Sequence, residues 1–324
     1  MVETVTLDDL DLDLVHALQI DGRAPFSRVA DVLDVSESTV ARRYRRLRSA
    51  GALRIVGEVN GFRLGYVSWT VRLRCTPDVA DAVSSALARR TDTFWVHLLS
   101  GGTEISCNTQ AHADDDNEIL LEKLPRTNRI LAVSAHSILG GGSTASTAWA
   151  GLHHMSDEQV AALEQPEPTW DVNETLTLDP NDELLLAALS RDGRASYSEL
   201  AGATGWSEST VRRRMDHLRD NGVLSFEVDI APKTLGYRAE ARLWMSVRPA
   251  AVLAVTNALS LHPEVSFAAI TTGPTNVLAE IVCRSSHELY RYLTERIATL
   301  EDIQGIETAP VVRTVKRAGA ILPR

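Results

Sequence analysis

The chain has little cysteine, no long apolar run and no excess of positive charge, and each lack excludes something. Cys75, Cys107 and Cys283 are its three cysteines in 324 residues. They are isolated and odd in number, and no C-x-x-C spacing occurs, so neither a disulfide framework nor a zinc knuckle is supported. They read as small buried strand residues of a reduced compartment. The longest apolar stretch, around Ala250–Leu261, is too short and too interrupted to span a bilayer. The first residues, MVETVTLDDLDLD, are acidic and have no apolar core of a signal peptide. The expectation is therefore a cytoplasmic protein with no membrane partner. A formal net charge of −10 argues against coating of nucleic acid through bulk charge, yet leaves room for a local basic patch. No P-loop, GxGxxG or nucleophile–base arrangement is present, so no catalytic residue, cofactor or metal is assigned and the chain is not read as an enzyme.

What is present is a repeat. SESTV stands at Ser36–Val40 and again at Ser207–Val211. The flanks match as well: Leu7–Tyr66 aligns without a gap on Leu178–Tyr237, with about 26 of the 60 pairs identical. The shared residues include D-G-R-A, the glycines Gly51 and Gly222, and L-G-Y. A period of 171 residues is too long for a solenoid and marks a duplicated two-part unit.

The first part of each copy reads as three short helices. In copy one, Leu10, Leu14, Ala17 and Leu18 recur at helical spacing over Asp9–Ile20, and Asp21-Gly22 ends that helix. Phe26–Leu33 is the second helix, and DVSES a tight turn in which Ser36 caps the third, Glu37 to about Ser49. The apolar stripe of the third helix is Val40, Tyr44 and Leu47, matched by Val211, Met215 and Leu218 in copy two. Extended stretches GALRIVGEV and GVLSFEVDI follow. This is the pattern of a winged helix-turn-helix.

The third helix carries the functional signal. Between Glu37 and Arg48 it holds five arginines against one glutamate, which is lopsided for a merely solvated face. Ser38, Thr39 and Arg42 at its start are suited to base edges in a major groove, since a guanidinium pairs bidentately with guanine. Arg43, Arg45 and Arg46, with Arg54 in the wing, are suited to phosphates. The corresponding set in copy two is Ser209, Thr210, Arg212, Arg213 and Arg214. There Arg45 and Arg46 are replaced by Asp216 and His217, and Glu227 and Asp229 lie in the wing, so the second reader is expected to grip less tightly. Double-stranded DNA is the expected partner.

The second part of each copy alternates as β-α-β-β-α-β, a ferredoxin-like unit. In copy one the strands are VSWTVRLRC, TFWVHLLS, TEISCNTQ and RILAVSAHSIL, with helices at TPDVADAVSSALARR and DDDNEILLEKLP. The fold class is α+β, with five segments: 1–66 and 176–237 as winged helix-turn-helix domains, 67–142 and 238–324 as ferredoxin-like domains, and 143–175 as a linker. His153-His154 in the linker read as surface residues.

Taken together, the helix-turn-helix run from Leu7, L-G-Y and the following β-α-β-β-α-β pattern, each present twice, resemble the Lrp/AsnC family of transcriptional regulators. Members usually carry one helix-turn-helix and one RAM (regulation of amino acid metabolism) domain and dimerise through the latter. The resemblance implies a fused pseudo-dimer that associates further, to a homodimer or higher oligomer. The family's RAM domain typically has a G-x-x-D turn near a small-effector site. Here Gly101-Gly102-Thr103-Glu104 and Gly273-Pro274-Thr275-Asn276 stand instead. Gly101, Gly102, Thr103, Glu104, Gly273, Thr275 and Asn276 are the candidate contacts for an effector, an amino acid or another small molecule, against the alternative of plain hairpin turns. The architecture also resembles the siroheme decarboxylases of heme biosynthesis. On that alternative His97 and His136 would be the donors, though neither has a counterpart in copy two. A third alternative is a degenerate regulator that binds only a ligand or a protein.

Overall fold

The computed structural model describes residues 6–112, 129–140, 151–166 and 174–317. The expected helix DDDNEILLEKLP and parts of the linker, 143–150 and 167–173, lie outside them. The chain divides into two compact units, one built from the helix-turn-helix parts of both copies and one from their ferredoxin-like parts.

In the first unit, copy one supplies α1 (Asp9–Ile20), α2 (Phe26–Val32), α3 (Glu37–Ser49) and β1 (Leu53–Val59). The Asp8 carboxylate accepts the Asp11 N–H and starts α1. The turn before α3 needs one left-handed residue, which is Asp34 at φ 51° in copy one and Gly205 at φ 74° in copy two. The stripe Val40, Tyr44 and Leu47 is buried as its spacing predicts.

The stretch after α3 is not a hairpin wing. β1 is a single strand, and it pairs antiparallel with its counterpart in copy two, from Leu53↔Ile230 to Val59↔Leu224. A two-stranded ribbon thus joins the two helix-turn-helix parts about a local pseudo-twofold axis. Gly57 lies against Leu189 so closely that a Cβ there would come within 2.9 Å of the leucine Cβ.

The second unit begins with β2 (Tyr66–Cys75), α4 (Pro77–Ala88), β3 (Thr93–Leu99), β4 (Glu104–His112) and β5 (Ile130–Gly140). The linker then contributes α5 (Asp157–Leu163) to the first unit. The helices of copy two follow there as α6 (Pro180–Arg191), α7 (Tyr197–Thr204) and α8 (Glu208–Asp220), with β6 (Leu224–Ile230). The chain returns to the second unit with β7 (Ala239–Val247), α9 (Val252–Ser260), β8 (Val265–Thr271), β9 (Val277–Cys283), α10 (Ser286–Arg291) and β10 (Ile303–Lys316).

The strands of that unit close into one barrel in the order β10-β3-β4-β2-β5-β8-β9-β7. Each half is a ferredoxin-like sheet, and the seams are β10 on β3 and β5 on β8. One face of each sheet packs apolar residues against a helix: Val71 and Leu73 cluster with Val83 of α4, and Leu243 and Met245 with Leu259 of α9. The three cysteines are buried and free.

Candidate nucleic-acid interface

The third helix of each copy is anchored at its start by a hydroxyl cluster. Ser36 Oγ accepts the Thr39 N–H at 3.2 Å and lies 2.9 Å from Ser38 Oγ and 2.8 Å from Thr39 Oγ1. Ser207, Ser209 and Thr210 repeat this with oxygen separations of 2.9 Å. Ser38 and Ser209 are exposed and Thr39 and Thr210 half-buried.

The arginines divide into tied and open ones. Arg43 Nη1 donates to Asp8 at 2.6 Å and to the wholly buried Asp11 at 2.8 Å. Arg46 also donates to Asp11. In copy two Arg214 grips buried Asp182 through two nitrogens, each at 2.5 Å. These three were expected to face phosphates. Instead they clamp α3 to α1, or α8 to α6, because a buried carboxylate must be paired. Arg54 departs from its expected role too. It donates to Asp229, its ladder partner in the ribbon, at 2.5 Å. Glu227 likewise lies inside the ribbon, where burial and then its own charge push the Glu58 carboxyl well above the usual carboxylate range.

Arg42 and Arg213 occupy equivalent positions, are exposed, and have no hydrogen-bond or ion-pair partner among the described residues. Arg45 is exposed, with Nε resting 3.1 Å from the Ala41 carbonyl. Arg212 lies over the Tyr197 ring, 4.7 Å from its centroid. The grooves beside the two helices differ in charge. That of copy one is lined by Arg42, Arg45, Arg46, Arg48 and Ser49. That of copy two mixes Arg212 and Arg213 with Glu208, Asp216 and Asp220.

The repeated D-G-R-A motif does more than end a helix. Arg23 crosses to copy two and donates to the carbonyls of Gly193 at 2.6 Å and Ala195 at 3.1 Å. Arg194 returns the contact to Gly22 at 2.7 Å and Ala24 at 2.9 Å. The glycines are required because a Cβ at Gly22 or Gly193 would stand 2.9 Å from Phe226 or Ile55. The linker also docks here. His16, buried on α1, accepts the Met155 N–H at 3.1 Å, and Arg28 donates to the Ala162 carbonyl at 2.6 Å. His153 and His154 are exposed, and His154 Nδ1 lies 2.5 Å from Asp13 Oδ1.

The Asp182–Arg214 clamp should make the fold acid-sensitive. Burial raises the Asp182 carboxyl, but the Arg214 and Asp179 hydrogen bonds outweigh it and hold the group below the usual range. Its stabilisation is complete above the unfolded value of about 3.9 and is lost as pH falls through the lower folded value. Denaturant midpoints measured from pH 5 downward should fall in wild type and fall less in Asp182→Asn. Parallel profiles would show that this pair does not set acid stability.

The candidate effector turns are largely self-occupied. Glu104 is buried and accepts from Arg72 Nη2 through both carboxylate oxygens at 2.9 Å. Asn276 is spent on the backbone of Val247, through two bonds of 2.8 Å. The two side chains expected to contact an effector are thus engaged by the fold itself. Thr103 Oγ1 donates to Ser100 and the Thr275 carbonyl accepts from Thr271. Gly101, Gly102 and Gly273 adopt φ values of 68°, 90° and 101° as their tight turns require. His97 and His136 are not brought together, since β4 and β2 stand between their strands.

Residues 7–48 and 178–219 match the AsnC-type helix-turn-helix domain, and residues 240–321 the Lrp/AsnC ligand binding domain. A helix-turn-helix transcriptional regulator of Pyrococcus abyssi is 35% identical over 143 residues, which are 44% of this chain and 90% of the relative. The chain belongs to the Lrp/AsnC family. The regulatory protein AsnC of Escherichia coli is 31% identical over 153 residues, covering 44% of this Lrp/AsnC chain and 99% of its own. The crystal structure of the siroheme decarboxylase NirDL aligns over 95% of this chain and 92% of its own with a TM-score of 0.64. At 13% identity that likeness concerns the fold. No helix among the described residues is long and apolar enough to cross a membrane.

Proposed function

We propose that this Lrp/AsnC chain regulates transcription by binding double-stranded DNA as a covalent pseudo-dimer. Ser38, Thr39, Arg42 and Arg45 form one reading face, and Ser209, Thr210, Arg212 and Arg213 the other. The observation that carries the reading is the pair Arg42 and Arg213. Each is exposed on the outer face of a third helix and unpaired among the described residues, while Arg43 and Arg46 beside the one and Arg214 beside the other are committed to carboxylates. A guanidinium in that place is free to meet a base edge or a phosphate. The relatives' names support the same reading.

Selection of bound fragments from genomic DNA tests it, and recovery of no preferred sequence would reject it. Affinity for the selected site should fall linearly in log salt, with a slope of about −0.9 per phosphate neutralised. Arg45→Ala should flatten the slope, whereas Arg43→Ala should lower stability and leave the slope in place. Equal slopes in all three proteins would reject this division of labour.

The chain is also proposed to associate beyond the single polypeptide through its RAM parts and to respond to a small effector at the backbone of the Gly101-Gly102-Thr103 and Gly273 turns. Light scattering at micromolar concentration should show more than the single-chain mass. A single-chain mass alone would end that part of the reading.

A further inference from the structure

The interior of the barrel holds a charged side chain that the described residues satisfy only in part. Arg242 on β7 is 1% exposed, and its Nε and Nη1 have no hydrogen-bond partner among the described residues. Its ladder neighbour on β9, Glu280, stands with Oε2 3.4 Å from Nη2, too far for a good hydrogen bond. The same oxygen is 3.5 Å from Nε2 of wholly buried His97 on β3, and that nitrogen also lacks a hydrogen-bond partner among the described residues. The other imidazole nitrogen lies 3.1 Å from Thr314 Oγ1 across the β3–β10 seam. Ser106, the ladder neighbour of His97, buries a further unpartnered hydroxyl. An unsatisfied buried polar group is costly, and more so when charged, so a cluster of them calls for an occupant.

The arrangement is one-sided. Arg242 and Glu280 are paired as Thr70 and Asn108 are in copy one, and His97 and Ser106 as Ala269 and Leu278 are in copy two. The duplicated halves have thus placed buried ionisable groups at one of two pseudo-equivalent positions. β3 is distorted at that position. Its register slips between Phe94 and His97, Trp95 sits at φ 52°, and the indole stacks on the His97 ring at 6.3 Å with the planes 13° apart. A tryptophan in the left-handed region is strained and must be held by its surroundings.

We propose that this cluster is a binding site for a small monocarboxylate, whose oxygens accept the free N–H groups of Arg242 while Ser106 and His97 Nε2 bond the polar atoms beside them. Guanidinium is the side chain whose donors match a carboxylate. Charge sets the limit on the ligand. Glu280 already faces the guanidinium, and burial keeps the imidazole neutral, down to about 4. Glu280 opposes further negative charge, so a single carboxylate held by the free guanidinium N–H groups is the most the site admits, and a dianion is excluded. An eight-stranded barrel has space for side chains or one small ligand, which sets the size. The proposal uses no DNA-facing residue and stands apart from the DNA reading.

The full chain is titrated with sodium acetate, and separately with sodium chloride and sodium sulfate at matched ionic strength. The readouts are the thermal midpoint and the line width of carboxyl-labelled acetate by NMR. Acetate should give a saturable rise and broadening that Arg242→Met and Ser106→Val each weaken at least tenfold, with no such response to chloride or sulfate. Ser106→Val replaces an unpartnered hydroxyl by methyl groups and carries the test alone if Arg242→Met does not fold. No saturable acetate response in wild type, a response unchanged in the variants, or an equal response to chloride would each overturn the proposal.

Discussion

Replacing Arg23 and Arg194 together by alanine should cost about 3–6 kcal/mol of unfolding free energy, at about 1.5–3 kcal/mol for each charged donor lost. Each guanidinium donates to two carbonyls of the other copy's D-G-R-A turn. Each also lies over aromatic rings, Arg23 at 5.3 Å from the Tyr197 centroid and Arg194 at 4.3 Å from that of Phe26. Burial is the main influence on both, lowering their proton affinity, and it makes the carbonyls they serve hard to rehydrate. The loss is comparable to the whole stability of an ordinary domain. Lysine should not rescue, because an ammonium cannot fork to two carbonyls. Denaturant unfolding of the single and double variants measures this. Midpoints within error of wild type would show that the β1–β6 ribbon alone joins the copies. A second consequence concerns DNA. The crossed arms hold the two reading helices in one relation, so the double variant should also lose preference for a single half-site spacing.

Much of this arrangement was legible in the residues because it is periodic. The stripe Val40, Tyr44 and Leu47 marks α3 by its spacing, and the alternation of Val71, Leu73 and Cys75 marks β2. The duplication placed the second set of elements where the first had been read. What escaped was pairing between distant residues. Nothing local tells that Arg43 meets Asp11 while Arg42 meets no partner among the described residues, since both are arginines on one helix. The signal existed in the second copy: Asp11 and Arg43 recur as Asp182 and Arg214, and a conserved acid–base pair 32 residues apart suggests a clamp. The partner of the wing strand escaped for the same reason. A lone strand with a two-residue period predicts a ladder but not its partner, and here the partner is the other copy. D-G-R-A likewise looked like a helix stop, because glycine's role in a stop and in a close approach are indistinguishable without the neighbour. The barrel cluster was less legible still. His97 was noted for its lack of a counterpart, but Arg242 and Glu280 sit in a strand pair whose alternation suits either face.

Arg42→Ala should cost about 1–3 kcal/mol of binding to the selected DNA site and relax one base position, whereas Arg213→Ala should cost less and act on the other half-site. The two arginines begin from equivalent local geometry: an exposed guanidinium four residues beyond a serine of the same hydroxyl cluster. Their surroundings differ. Next to Arg42 stand Arg45, Arg46 and Arg48, which raise the local positive potential even where they are tied. Next to Arg213 stand Asp216 and Asp220, which oppose the approach of phosphate and lower the contribution of any contact nearby. The structure removes one part of the expected asymmetry, because the acids Glu227 and Asp229 are turned into the ribbon and do not face a ligand beside α8. What remains is the Arg45-to-Asp216 exchange on the exposed face. Asp216→Arg should therefore strengthen the second half-site toward the first, raising affinity and steepening the salt slope by about 0.9 for the phosphate gained. A symmetric homodimer must read a near-palindrome, but this chain is free to read unequal halves. The measurement is affinity of wild type and the three variants for the selected site and for versions with either half scrambled. Equal losses for Arg42→Ala and Arg213→Ala on a perfect palindrome would show that the divergence between the copies has no bearing on recognition.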